Sequence, residues 1–290
     1  MLVVETASAA GARAVVRPAE RAVITWSTRA ATATIEVVLH TLDGRVSKPL
    51  PYAVFEPGAR ASLDGFDDVA RIATDVITAS SDIIAIDVRA NVALERVAVT
   101  VPAHELRTTH ARFTGELDVP ERSQYLADRP ESSGWCAPTA IAMLLQFHGV
   151  ERDVAEVAAG CYDRAYRGTG NWAFATAYAS ANGAFGAVAY LRDLASVDAL
   201  LDAGLPPALS IRWSEGELPG APLAASAGHL VVVRGRTPNG DVIVNDPAQP
   251  RTRHVYPADA FERAWLGHGG VALLVAPVTR VDELVMAANA

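Results

Sequence analysis

Cysteine is nearly absent. Cys136 and Cys161 are the only two in 290 residues, too few for a disulfide framework, and the expectation is that they do not bridge. Lysine is rarer still: of 25 basic residues, Lys48 alone is not arginine. Against a background rich in alanine and valine, that excess reads as coding bias in a GC-rich genome. No basic patch or stripe stands out, which excludes nucleic acid as an expected partner. No run approaches 18 apolar residues, which excludes a transmembrane helix. The first residues, MLVVETASAAGARAVV, show no basic stretch followed by an apolar one, so no secretory signal is read there. A soluble cytoplasmic chain is the default expectation, with an extracellular one left open. HExxH, P-loop and GxGxxG motifs are missing, and Cys136, His148 and Cys161 match no closed zinc spacing. No metal or organic cofactor is expected. The GHGG at 267–270 has no helix after it and reads as a turn before the last strand.

What is present is an ordinary globular composition. Half the residues are hydrophobic, a fifth are charged, and the formal net charge is −8, which excludes disorder and collagen-like structure. At roughly 150 residues per domain, the length suggests one or two domains.

Two halves differ in periodicity. Segments 21–27, 32–39, 71–78, 83–89 and 93–101 are rich in Val, Ile and Thr, and several alternate in polarity as half-buried strands do. In 32–39, Ala33, Ile35 and Val37 share one face, Thr34 and Glu36 the other. Asp43-Gly44, Pro57-Gly58 and Asp64-Gly65 mark turns between strands. Short strands at this spacing predict an all-β sandwich-like domain. The polar stretch 103–122 ends it, and the boundary is placed near residue 116. From Gln124 onward, 138–149, 172–182 and 194–203 read as helices. In the first, Ile141, Leu144, Leu145 and His148 share one face, Pro138 suits the first turn and Gly149 the end. Strands are expected at 187–192, 207–212, 229–236, 241–245 and 271–276, with a hairpin at Pro238-Asn239-Gly240. Helices first and an antiparallel sheet later make an α+β pattern.

Four residues carry candidate chemistry. Cys136, in GWCAPT, opens a helix, where the macrodipole and unpaired N–H groups favour a thiolate; a structural thiol is the alternative. His229 opens a strand after Gly228, which permits close approach of another group. Asp246 ends the neighbouring strand. The hairpin makes 229–236 and 241–246 antiparallel neighbours, so Asp246 can reach a ring nitrogen of His229 and fix its tautomer; a plain polar turn is the alternative. Gln124 lies twelve residues before Cys136, and its amide can donate to an oxyanion or sit idle at the surface. Trp135, Asn171, Trp172 and Phe174 fall around the presumed cleft, either as a substrate-binding wall or as core. Cys161 is expected to pack near a helix end, and His148 to pack or cap.

In this order, SQYLADRPESSGWCAPTAIAMLLQFHG and AGHLVVVRGRTPNGDVIVNDPA resemble the C39-like branch of the papain-like cysteine peptidases, and FERAWL downstream, with Phe261 and Trp265, is similar too. The resemblance spans about residues 120–277. It implies a papain-like domain over 117–290 behind an accessory domain over 1–116. It also implies Cys136 as nucleophile, His229 as base and acid, Asp246 as its orienting partner, and Gln124 with the Cys136 amide as oxyanion hole. Trp135 and Trp172 become candidate substrate contacts. The family commonly has glycine where Ala137 stands, and the Gln124–Cys136 interval is long for the transporter-linked peptidases. The substrate implied is a peptide or protein. An amidase or acyl-transfer enzyme with the same triad, and a non-cutting peptide-binding module, stay open. The first half carries no catalytic constellation. Binding of substrate, glycan or cell envelope, and simple covering of the peptidase domain, are equally open for it.

Overall fold

A computed structural model describes residues 1–8, 11–56, 59–102 and 112–290. The Pro57-Gly58 turn and most of the polar stretch before residue 112 lie outside the described residues.

The first half is all antiparallel strand. Its strands are β1 (Leu2–Thr6), β2 (Gly11–Ser27), β3 (Ala33–Thr41), β4 (Leu50–Glu56), β5 (Ala59–Ser62), β6 (Gly65–Phe66), β7 (Ala70–Ala73), β8 (Val76–Ala90) and β9 (Arg96–Thr100). They join in one hydrogen-bonded path, β1-β9-β2-β8-β3-β4-β5, with β7 also on β8 and β6 on β7. β2 changes partner along its length: Gly11 to Ala22 pair with β8, Val23 to Ser27 with β9. Its register slips between Val15 and Ala19, around Pro18, which has no N–H to give to a ladder. In β3 the alternation works as read: Ala33, Ile35 and Val37 are buried, while Thr34 and Glu36 are half-exposed. One expected strand is instead two. Segment 71–78 folds back at Thr74 and Asp75, with Thr74 at φ 58°, and Ala73 pairs with Val76. Asp64 accepts from the Thr74 N–H at 3.1 Å, which offsets the left-handed backbone there.

The second half mixes helix and sheet. A two-residue strand, β10 (Gly115–Glu116), leads to a 3-10 turn (Pro130–Gly134) and three helices, α1 (Cys136–Phe147), α2 (Val154–Cys161) and α3 (Trp172–Ala181). Then come β11 (Ala184–Tyr190), α4 (Leu194–Asp202), β12 (Ala208–Trp213), β13 (Ser226–Arg236), β14 (Val242–Asn245) and β15 (Arg253–Tyr256). The chain closes with α5 (Ala258–Leu266), β16 (Val271–Pro277) and α6 (Val281–Ala288). The sheet order is β11-β16-β12-β13-β14-β15, with β10 on β13. Both faces of this sheet are covered. Leu230 and Val232 of β13 pack with α1, while Val231 and Val233 pack on the opposite side with α4, α5 and α6. Burial on both faces explains why 230–233 is a continuous apolar run and does not alternate.

α1 is the helix under the sheet. All residues from Ala137 to Leu145 are buried, as for a helix packed all round. Gly149 follows it with φ 84°, the left-handed conformation that ends helices at little cost.

The two halves share packing. Ala173 and Phe174 of α3 belong to the core of the first half, with Phe174 edge-on to Trp26 at 6.1 Å. No helix among the described residues is long and apolar enough to cross a membrane.

Candidate active site

Cys136 is the first residue of α1 and is half-buried. Leading N–H groups of a helix lack intrahelical acceptors, so the sulfur sits at a positive end. Burial of the sulfur opposes ionisation. The hydrogen bond and charge of His229, with the Leu230 and Ala137 N–H groups, outweigh it and hold the thiol below its ordinary value.

His229 lies on β13 and is buried. Its Nε2 is 2.7 Å from Asp246 Oδ1. Cys136 bonds to the same ring, and with Nε2 engaged the nitrogen left for the sulfur is Nδ1. Burial favours the neutral ring, but Asp246 and Cys136 overcome that and push the imidazole well above the ordinary histidine range. The hairpin is what brings these residues together. Arg236 pairs with Val242 and Val232 with Asn245, so the chain leaves β14 beside the middle of β13, three residues past His229, which is itself the fourth residue of a strand that begins at Ser226.

Asp246 is fully buried. Burial would neutralise it; hydrogen bonds from His229, from the Tyr256 hydroxyl to Oδ2 (2.7 Å) and from the Ala248 N–H to Oδ1 (2.9 Å) keep it below the usual carboxylate range. Its neighbours in the NDP turn fix the approach of Gln124. The Asn245 side chain donates to the carbonyls of Val119 and Pro120, each at 3.1 Å. The Pro247 carbonyl accepts from the Gln124 N–H at 3.0 Å. Gln124 is buried, its Nε2 donates to the Ser133 carbonyl, and its Oε1 has no hydrogen-bond partner. One side-chain N–H therefore remains for another acceptor.

Trp135, Cys136 and Trp172 are all partly buried against the same α1–α3 core. Asn171 and Phe174 have structural roles. Asn171 caps α3 through the Phe174 N–H and donates to Asp163, and Phe174 lies in the first half's core. Cys161 is a free, buried thiol ending α2, pushed up to about 12 by burial. His148 caps α1 and sits 2.9 Å from the Val275 carbonyl.

Four further residues shape the site. Tyr256 holds Asp246 as described. Trp213 packs edge-on to His229 at 5.9 Å. His268, from the GHGG turn, sits edge-on to Trp172 at 5.9 Å and 3.1 Å from Ser210 Oγ. A Cβ at Gly228 would lie 3.3 Å from the His268 ring, so that ring is the group the glycine admits. Asp75, from the first half, accepts the Trp172 N–H at 2.8 Å. From sequence alone, His268 falls in the GHGG turn at 267–270 and a strand ends just before Trp213, at 207–212, and none of the four is given a role. Among the described residues, no group of three or more His, Cys, Asp or Glu side chains is placed to hold a metal ion.

The description of the Peptidase_C39 like family matches this sequence over residues 116–273, more than half of the chain. The chain belongs to that family. Its C39-like membership supports a cysteine-peptidase-like function. Three solved structures are similar. A C39-like peptidase from Bacillus anthracis shares 19% identity over 56% of this chain and 98% of its own, with a TM-score of 0.43. A double glycine motif protease from an AMS/PCAT transporter, solved with its leader peptide, shares 18% over 58% and 100%, at 0.40. The peptidase domain of Streptococcus ComA shares 17% over 58% and 99%, at 0.39. No curated protein sequence matches the chain.

Proposed function

We propose that the chain is a cysteine peptidase that cuts peptides or proteins through Cys136, His229 and Asp246. The observation that carries this is the relay itself: a half-buried thiol at a helix start, bonded to an imidazole whose far nitrogen is 2.7 Å from a buried carboxylate. The Cys136 thiolate attacks the carbonyl carbon. The oxyanion is met by the Cys136 N–H and by Gln124, once its amide turns its spare N–H to the cleft. The C–N bond breaks and the His229 proton goes to the leaving nitrogen; water then attacks the thioester, giving its proton to His229, and the C–S bond breaks to release the acid and the Cys136 thiolate. Asp246 keeps the ring oriented and stabilises its cationic form. Trp135 and Trp172, half-buried against the same core as Cys136, are the proposed substrate wall.

We further infer a papain-like peptidase domain over 117–290 and a sandwich-like accessory domain over 1–116. Gly115 and Glu116 pair with Arg236 and Gly235 in the second sheet, which favours moving the seam two residues ahead of the 116/117 boundary.

The test is the rate of iodoacetamide reaction at Cys136 from pH 4 to 9, in wild type and His229→Ala, alongside hydrolysis of a peptide library. Reactivity at pH 5–6 that needs His229, with new amine ends released from the library, is the expected result. Labelling that rises only above about pH 8 and ignores His229 sinks the peptidase reading.

A further inference from the structure

A cavity of about 810 Å³ opens beside the start of β13. Trp213 lines it and also packs on the His229 ring, so the cavity is one aromatic ring away from the Cys136–His229 pair. Ser226 and Ala227, just ahead of Gly228, form its near edge. Two arginines face it, Arg212 from β12 and Arg263 from α5, and both are exposed. Among the described residues no carboxylate forms an ion pair with either. Other exposed arginines among the described residues occur both paired with carboxylates, as at Arg13 and Arg253, and without an ion pair, as at Arg71 and Arg251, so what sets Arg212 and Arg263 apart is that they share one cavity. Overall charge does not account for two free cations here, because acids outnumber bases by 33 to 25. Glu217 is the one acid among the lining residues, and it is engaged with the Ser214 N–H at 2.7 Å.

The backbone places Arg212 there. Ile211 pairs with His229 and Trp213 with Ser226, so Ala227 and Gly228 together oppose Arg212. Such a bulge re-aims side chains and commonly lies at a site. Two guanidinium forks around one open cavity suit the planar, bidentate geometry of a carboxylate.

We propose that this cavity is a carboxylate subsite, and that the protein selects peptides or proteins bearing Asp or Glu near the bond to be cut. This rests on Cys136 and His229 being the cutting pair. Arg212 and Arg263 would receive the acid while Trp213 holds His229 between that subsite and the thiol.

The test uses the full chain with Cys136→Ala, offered two randomised octapeptide pools that differ only in Glu or Gln at one fixed position. Retention is read by mass spectrometry, and wild type digests the same pools in parallel. The Glu pool should be retained about tenfold better, less so at high salt. The preference should vanish in Arg212→Gln/Arg263→Gln and partly survive Arg212→Lys. Equal retention of the two pools, or a Glu preference that outlives both Gln substitutions, overturns the subsite. Glu-selective retention without any cleavage keeps the subsite and removes the peptidase reading. Cleavage without selectivity removes the subsite alone, and the absence of both removes both.

Discussion

Tyr256 takes the oxygen of Asp246 that His229 leaves free. Its loss should be felt through the carboxylate, because a donor to an ionised, buried group is worth about 1.5–3 kcal/mol. In Tyr256→Phe the Asp246 pKa rises from its lowered position, so the ionised form is lost at a higher pH on acidification. The acid limb of the kcat/KM–pH profile should therefore move up, with turnover several-fold lower at its optimum. A profile superimposable on wild type would show that Asp246 does not depend on the phenol. Gln124→Ala tests the oxyanion role directly: hydrolysis should slow by about 10²–10³-fold with little change in KM. A variant as fast as wild type would assign Gln124 only to holding the Ser133 carbonyl.

Close approach between elements decides where the cleft residues stand. α3 begins at Trp172 and packs over β11, and a Cβ at Gly186 would come 2.2 Å from the Thr176 carbonyl oxygen. That neighbour is backbone and cannot rotate away, so Gly186→Ala should lift α3 from the strand and cost on the order of 1–3 kcal/mol. A thermal midpoint within a degree of wild type would refute it. The same contrast between local and distant order governs how much could be read from sequence. The placement of Asp246 beside His229 was legible because a single hairpin loop of five residues sets it, from Thr237 to Asp241. The start of α1 was legible from Pro138 and the apolar spacing after it. Tyr256 was not, since it closes a four-residue strand with little pattern to show. His268 was hidden in a glycine-rich turn whose approach to Gly228 is purely tertiary. Asp75 was hidden twice, by a turn inside an apparently continuous strand and by the 97 residues that separate it from Trp172. The sandwich-like reading caught the strand content of the first half, but not the passage of β2 between two partners, which long-range pairing dictates.

Across the whole molecule, the two halves are coupled through α3. Phe174 fills the first half's core against Trp26, so Phe174→Ala should cost about 3–5 kcal/mol and weaken amide protection on both sides of the seam in hydrogen exchange. Loss confined to α3 would show that the halves unfold independently. Asp75 offers a second probe. Burial lifts its carboxyl from 3.8 to about 6, against the opposing Trp172 and Ala173 N–H groups. A raised acid stabilises the fold fully below pH 3.8 and loses that contribution as pH rises through about 6. This is on the order of 2–3 kcal/mol. Asp75→Asn should remove that contribution, so that the denaturant midpoint falls less, or rises more, between pH 4 and 6 than in wild type, while keeping an acceptor for the Trp172 N–H. An unchanged slope would place the titration elsewhere.

The bond from Asp75 to the Trp172 N–H has a consequence for how such a chain can change over generations. A helix whose first amide is satisfied by one region, and whose aromatic ring fills that region's core, cannot be traded between partners like a bead on a string. A chimera carrying an unrelated module in place of residues 1–102 would inherit an orphaned amide at the cleft and a bare Phe174. Recombination should therefore transmit the two halves together, and substitutions at Trp26, Asp75 and Phe174 should be tolerated chiefly as matched sets.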